Sequence, residues 1–279
     1  MTILCFSVLL FVFSIIAGLL GALTGLGGGV VIIPVLVLLF HTDIHYAMGT
    51  SLISVMATSS SSSATAYLRE GYINLRIGMF LEVVAVIGAL IGALLIVIIP
   101  TTFLIILFSF VLFFSAYLTI RRKEENEHYS NSHPWAVALK LDGSYPSTHQ
   151  MKFYHVQNVP TALSIMGIAG ILAGLLGIGS GALKVLAMDQ ALHLPYKVAT
   201  TTSNFMIGIT AAVSAGIYFS HGFINPLICF PVMIGVVLGS FLGAKVLAKT
   251  QNRNLRILFS VTICLIGLQM LYNALIGHI

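Results

Sequence analysis

Long apolar runs separated by short polar turns fill this 279-residue chain, at about residues 3–23, 30–40, 46–68, 73–98 and 101–120, and again at 160–176, 182–194, 197–220, 224–248 and 255–276. About 20 residues rising 1.5 Å each cross a bilayer core, so the runs predict roughly eight to ten membrane-crossing helical segments. The runs at 30–40 and 182–194 are too short to cross. Each is expected to pair with the run before it as a helical hairpin that turns at a glycine cluster inside the bilayer. Between the two sets, residues 121–158 carry five of the 13 Lys and Arg, four of the eight acids, four His and the only Trp. They read as a polar loop.

The two sets are copies of one unit. Gly25-Leu26-Gly27-Gly28-Gly29 matches Gly177-Ile178-Gly179-Ser180-Gly181, and Thr50-Ser51 matches Thr202-Ser203, at a shift of 152. Gly71-Tyr72-Ile73-Asn74 matches Gly222-Phe223-Ile224-Asn225, and Gly92-Ala93 matches Gly243-Ala244, at a shift of 151. A duplicated membrane unit that opens on a broken helix is the signature of a secondary transporter with its site between the repeats. The expected fold is an all-α integral membrane protein with two inverted-topology repeats of about five helical segments each, residues 1–120 and 159–279. Each repeat begins with a glycine-broken re-entrant helical hairpin, and the 121–158 loop joins the two.

Composition agrees with that picture. The chain is 58% hydrophobic and only 8% charged, with a mean hydropathy of +1.04, whereas soluble domains carry roughly 25% charged residues. The pI near 9.2 reflects orientation signals and not nucleic-acid affinity. Arg121, Arg122 and Lys123 mark the central loop as cytoplasmic, and Arg69 with Arg76 flank a second inside turn. In the second copy the Gly222 turn has no Lys or Arg. There, Lys197 and the cluster Lys245, Lys249, Arg253 and Arg256 flank turns whose first-copy equivalents are cation-free. Matching turns thus face opposite sides, the repeats are inverted, and both termini lie outside. With no Lys or Arg before Arg69, a secretory signal peptide is not expected. Cys5, Cys229 and Cys264 lack metal or disulfide spacing and read as core packing. Neither a cofactor nor a metal is expected.

Lipid permits a helix break only where protein or a watery cavity satisfies the freed backbone groups. The second half of each hairpin starts at the glycines, aiming free N–H groups and a dipole of roughly +0.5 charge at mid-membrane. Two such N-termini, at Gly27, Gly28 and Gly29 and at Gly179, Ser180 and Gly181, are expected to converge on one anion. Gly18 to Gly21 and Gly88 to Gly92 read instead as close helix packing. Lys184, opposite Ile32 of the first copy, lies three residues past Gly181. A charge deep in the bilayer costs about 2.5 to 3.5 kcal/mol, which an anionic ligand offsets. The alternatives are snorkelling or pairing with Asp189, from which it is separated by roughly 140° on a helix.

Thr50, Ser51, Thr202, Ser203 and Asn204 follow the half-helices as oxyanion donors or as helix caps. The run Thr58 to Ser63 reads as tight helix packing, its hydroxyls bonded to preceding carbonyls. Glu82, opposite Met233, is either a proton relay or a neutral carboxyl bonded to a neighbouring helix. The loop histidines are expected to be solvated.

The order GLLGALTGLGGGVVIIPVLVL, AMGTSLISV, the polar loop, GLLGIGSGALKVLAMD and VATTTSNFMIGITAAVSA resembles the TauE/SafE family of sulfite exporters over essentially both repeats. The resemblance implies export of sulfite, sulfonates or related small sulfur or organic oxyanions in exchange with a proton gradient. It carries the site onto Gly27, Gly28, Gly29, Thr50, Ser51, Gly179, Gly181, Thr202 and Ser203. Ser180 departs from the pattern at a glycine of the second cluster, and Leu186 stands where Pro34 stands in the first. The expected partners are a small sulfur oxyanion and the lipid bilayer of the cell membrane, with a homo-oligomer left open. An anion channel or uncoupled carrier is the alternative. An intramembrane enzyme is not expected, since the chain has no HExxH or GxSxG and no histidine near the repeat interface.

Overall fold

The structure is a computed structural model that describes residues 3–24, 27–69, 72–121, 132–146, 151–247, 264–265 and 267–273. The first copy comprises α1 (Ile3–Thr24), α2 (Gly29–Pro34) with a π-helical turn (Val35–Leu39), α3 (Ile44–Arg69), α4 (Leu75–Leu95) and α5 (Thr101–Arg121). The central segment folds as α6 (Pro134–Ala138), β1 (Gly143–Pro146) and β2 (Met151–Tyr154). The second copy runs α7 (Val159–Leu176), α8 (Gly181–Leu186) with a π-helical turn (Ala187–Ala191), α9 (Tyr196–Ser220) and α10 (Pro226–Leu247). Among the described residues, Leu75–Leu95, Val159–Leu176, Val198–Ser220 and Pro226–Gly243 are long and apolar enough to cross a membrane.

The duplication persists in local geometry. Both half-helices pass into a π-helical turn at the same position, 152 residues apart, and both turns end near a histidine in the left-handed region, His41 at φ 48° and His193 at φ 56°. Gly27 and Gly179 also correspond, at φ 77° and 68°. Packing follows the same rule. α1 lies along α10 and α4 along α7, two pairs that exchange when the copies are exchanged, while α3 lies along α9 and maps onto itself.

Small residues set these contacts. Lipid tails are as apolar as leucine, so helices in a bilayer associate through close packing. A Cβ on Gly92 would stand 2.0 Å from the Ile171 carbonyl, and one on Gly170 or Gly174 would stand 2.1 Å from the carbonyl of Ala85 or Ala89. On the other side, Gly18 would meet the Val236 carbonyl at 2.3 Å and Gly239 the Ile15 carbonyl at 2.0 Å. Gly92→Val is expected to prise α4 from α7 and lower the melting temperature in detergent sharply. Gly216→Val, where a Cβ meets nothing within 4 Å, serves as its control and should shift it little.

The central segment departs from the all-α expectation. β1 pairs antiparallel with β2, from Gly143 opposite Tyr154 to Pro146 opposite Met151. Ala136, Leu141, Tyr154 and Val156 are buried in one cluster with Ile77 and Leu81 of α4 and Val159, Ala162 and Met166 of α7. The segment is therefore a folded cap and not a plain loop. Asp142 holds it closed, accepting from the Ser132 hydroxyl at 2.6 Å and the Val156 N–H at 2.9 Å. Asn74 joins it to the helices, capping α4 by accepting from the Ile77 N–H while donating to the Leu141 carbonyl and, at 2.7 Å, to the Tyr154 hydroxyl. Burial raises the Tyr154 phenol above its ordinary value, so the hydroxyl stays protonated. The cap histidines His133 and His155 are partly exposed.

Several residues singled out by sequence lie outside the described residues: Gly25, Leu26, Gly71, Arg122, Lys123, His128, His149, Lys249, Arg253, Arg256 and most of the run at 255–276. The side chains of Cys5, Ser63, Arg69, Arg121, Lys197 and Lys245 do so as well.

Candidate functional site

Left-handed φ values at Gly27, Gly177 and Gly179 turn the chain sharply between a long helix and the short one after it, a conformation that glycine adopts without a Cβ clash. Ser180 adopts it too, at φ 45°. Both turns meet the same two side chains. A Cβ on Gly27 would touch Val55 and Ile207 at 3.2 Å, and one on Gly179 would stand 2.8 Å from Val55 and 3.4 Å from Ile207. Val55 and Ile207 are repeat counterparts at the middle of α3 and α9, the two longest helices among the described residues. The glycine turns therefore converge at one point, halfway along both.

Ser51 and its neighbours tie this point together. The Ser51 hydroxyl donates to the Gly177 carbonyl at 2.6 Å, and its oxygen lies 2.2 Å from where a Gly29 Cβ would be. It thus sits between the two glycine turns. Ser203 donates to the Gly181 carbonyl at 3.3 Å, Thr202 accepts from the Asn74 N–H at 3.2 Å, and Thr50 accepts from the Cys229 thiol at 3.5 Å. All four hydroxyl side chains are buried. The hydroxyls that the sequence offers as anion donors are thus engaged internally, those of Thr50, Ser51 and Thr202 across the copies and that of Ser203 within the second. Gly29→Ala is expected to expel the Ser51 hydroxyl and destabilise the protein, with Gly29→Ala/Ser51→Ala recovering much of the loss in thermal unfolding. Tyr218, which the sequence did not flag, satisfies the broken end of α7 by donating to the Gly174 and Leu175 carbonyls at 3.1 and 3.0 Å.

Lys184 neither snorkels nor needs Asp189. Its ammonium donates to Glu82 Oε2 at 2.9 Å and to Thr210 Oγ1 at 2.8 Å, and it is wholly buried. Two charges that the sequence treats separately thus form one ion pair between α4 of the first copy and α8 of the second. Thr210 lies one turn along α9 from Ile207, which sets the pair beside the convergence of the glycine turns. The repeat counterparts of Lys184, Glu82 and Thr210 are Ile32, Met233 and Thr58. The charge is therefore one-sided in a duplicated frame.

Glu82 Oε1, Ser54 Oγ, Ser180 Oγ, Thr200 Oγ1 and Asn204 Oδ1 are buried without a hydrogen-bond partner. Such groups cost about 1–3 kcal/mol each, and interior ones call for an explanation. Along the serine run, Thr58, Ser60 and Ser61 bond back to the carbonyls of Ser54, Met56 and Ala57, as read from the sequence. Ser59 crosses instead to the Asn204 carbonyl on α9. An open, mostly apolar groove runs between α3 and α10, lined by Ala57, Ser60, Ser61, Met233, Ile234, Val237 and Leu238.

The family described as sulfite exporter TauE/SafE matches residues 10–270. The chain belongs to the TauE/SafE family. Among curated relatives, the probable membrane transporter protein YdhB of Bacillus subtilis is 32% identical, covering 94% of this chain and 98% of its own. The probable membrane transporter protein YunE of the same organism is 28% identical over 96% and 98%. The probable membrane transporter protein MJ0441 of Methanocaldococcus jannaschii is 25% identical over 94% of each. No solved structure matches it. This TauE/SafE chain is a transmembrane transporter protein, and the buried pair and glycine turns are the chemistry its interior holds.

Proposed function

We propose that the chain is a secondary transporter that exports a small oxyanion of the sulfite or sulfonate class across the cell membrane, coupled to protons. The observation that carries this reading is the buried Lys184–Glu82 pair, set between the copies one helical turn from the meeting of two glycine turns. The family description supports the substrate class, and the unpartnered hydroxyls of Ser54 and Ser180, which can donate, support an oxygen-rich ligand.

In this reading Lys184 is the fixed cation of the site. The carboxylate of Glu82 holds it in the closed state. An oxyanion that reaches Lys184 displaces Glu82, and an unpaired buried carboxylate is costly enough to take up a proton. Ser51 and Ser203 leave their carbonyl acceptors, and Thr50 and Thr202 turn their hydroxyl protons, to orient the oxyanion, and the N–H groups at the starts of α2 and α8 add positive field. The proton then travels with the anion. A dianion with one proton moves one net negative charge outward, which an inside-negative membrane drives by about 2.3 kcal/mol per 100 mV. In this reading the coupling is co-transport, in place of the exchange that the family resemblance implies.

The two hairpins enter from opposite faces, the repeats are inverted, the cap faces the cytoplasm and both termini lie outside. In a cysteine-less background, Lys140→Cys in the cap and His221→Cys after α9, both exposed, should label from opposite sides of the membrane. Labelling from one side overturns the inversion. Liposome flux with sulfite, sulfate, thiosulfate, taurine and acetate tests the function itself. Saturable flux of a sulfur oxyanion accompanied by luminal pH change is expected. Flux at channel rates without pH change replaces the carrier with a channel.

A further inference from the structure

We propose that the folded cap is an interfacial anchor that lies on the headgroups of the same bilayer and prefers anionic lipid. The proposal rests on the chain being a membrane protein and is independent of what it transports. The cap leaves five large apolar side chains exposed: Trp135 at 51%, Val137 at 61%, Leu139 at 46%, Met151 at 59% and Phe153 at 76%. A cap that met only water would leave a costly apolar surface there.

Its position supplies the occupant. α4 carries an exposed apolar stripe, Met79, Val83, Ile87, Leu90 and Leu94, at the three- and four-residue spacing of one helix face. This is its lipid side. Arg76 continues that stripe by one more turn, is exposed, and donates to the Lys140 carbonyl at 3.3 Å. The edge of the cap therefore sits directly above the lipid-facing side of α4, at the end of the helix where headgroups begin.

Charge completes the match. Among the described residues of the cap, Lys140, Lys152 and Asp142 are the charged ones. Lys140 and Lys152 are exposed, while Asp142 is engaged internally by Ser132 and Val156. Exposed lysines on a small segment that also exposes Trp and Phe suit an interface containing anionic lipid, the rings at headgroup depth and the flexible ammonium groups reaching phosphate. A protein partner would need no such alignment with the lipid face of α4.

The single tryptophan makes the test direct. The full chain is reconstituted in nanodiscs of phosphatidylcholine with and without phosphatidylglycerol, and Trp135 emission is read with iodide in the water and with phospholipids brominated near the headgroup end of their chains. Blue-shifted emission, protection from iodide, quenching by the brominated lipids, and stronger quenching by brominated phosphatidylglycerol than by brominated phosphatidylcholine are expected. Lys140→Gln/Lys152→Gln should erase the preference for the anionic lipid while leaving the Trp135 emission of the detergent-solubilised protein unchanged. Water-like emission with full iodide access overturns the proposal. So does protection that rises with the number of copies per disc and ignores the lipid, which would make the surface a contact between copies. Because the readout needs no transport, failure here leaves the oxyanion reading untouched, and failure of that reading leaves this one untouched.

Discussion

Lys184→Ala is expected to abolish oxyanion binding and transport, and also to destabilise the fold. Removing one member of a buried pair typically costs about 3–5 kcal/mol, because the other is left charged and unpaired. Here the orphan is Glu82, which is 3% exposed and whose Oε1 already has no partner. Loss of transport by this variant alone could thus reflect misfolding. The duplication supplies the remedy. Lys184→Ile/Glu82→Met places at both positions the residues of their repeat counterparts, Ile32 and Met233, which the same frame already accommodates. The double variant should recover most of the thermal stability lost by Lys184→Ala, as buried pairs replaced by apolar groups commonly do. Its flux in liposomes should stay at background. Parental flux in the double variant would place the anion elsewhere and leave the pair a structural tie.

The duplication and the glycine turns were legible in the sequence because both depend on local signals: glycine clusters that only tight turns require, and apolar runs of half and full membrane length. The register held down to Gly27 and Gly179 and to the left-handed His41 and His193. The Lys184–Glu82 pair was not legible as a pair. Its members lie 102 residues apart, and each stands opposite an apolar residue in its own repeat alignment, so each looked like an isolated charge. Only the packing of α4 against α7 and α9 brings Glu82 to α8. The cap was hidden for a different reason. Leu141, Tyr154 and Val156 are too sparse to form an apolar run, and they become a core only when the hairpin sets them against Ile77 and Leu81. The roles of Thr50, Ser51, Thr202 and Ser203 stood open between donor and cap. In the structure these residues are occupied with ties between and within the copies.

Glu82→Gln is expected to separate binding from coupling. The amide oxygen can still accept from the Lys184 ammonium, so the bridge from α4 to α8 keeps its geometry, but the side chain no longer titrates. In the proposed mechanism, carboxylate and substrate compete in the parent for one ammonium, so anion binding is expected to depend on pH. Lowering the pH protonates Glu82, frees Lys184 and strengthens anion binding, by up to about tenfold per pH unit where one proton is taken up with one anion. Raising the pH restores the pair and weakens binding. In Glu82→Gln that slope should flatten to near zero, with binding no weaker than in the parent at high pH, and luminal pH should no longer change during flux. The measurement is affinity against pH, with an anion whose own charge is constant over the range, and with Thr210→Val as a variant that removes the other Lys184 contact while leaving the titrating group. Thr210→Val should weaken binding at every pH and keep the slope. A parental pH slope in Glu82→Gln would return this residue to a structural bond and assign the proton to a group outside the pair.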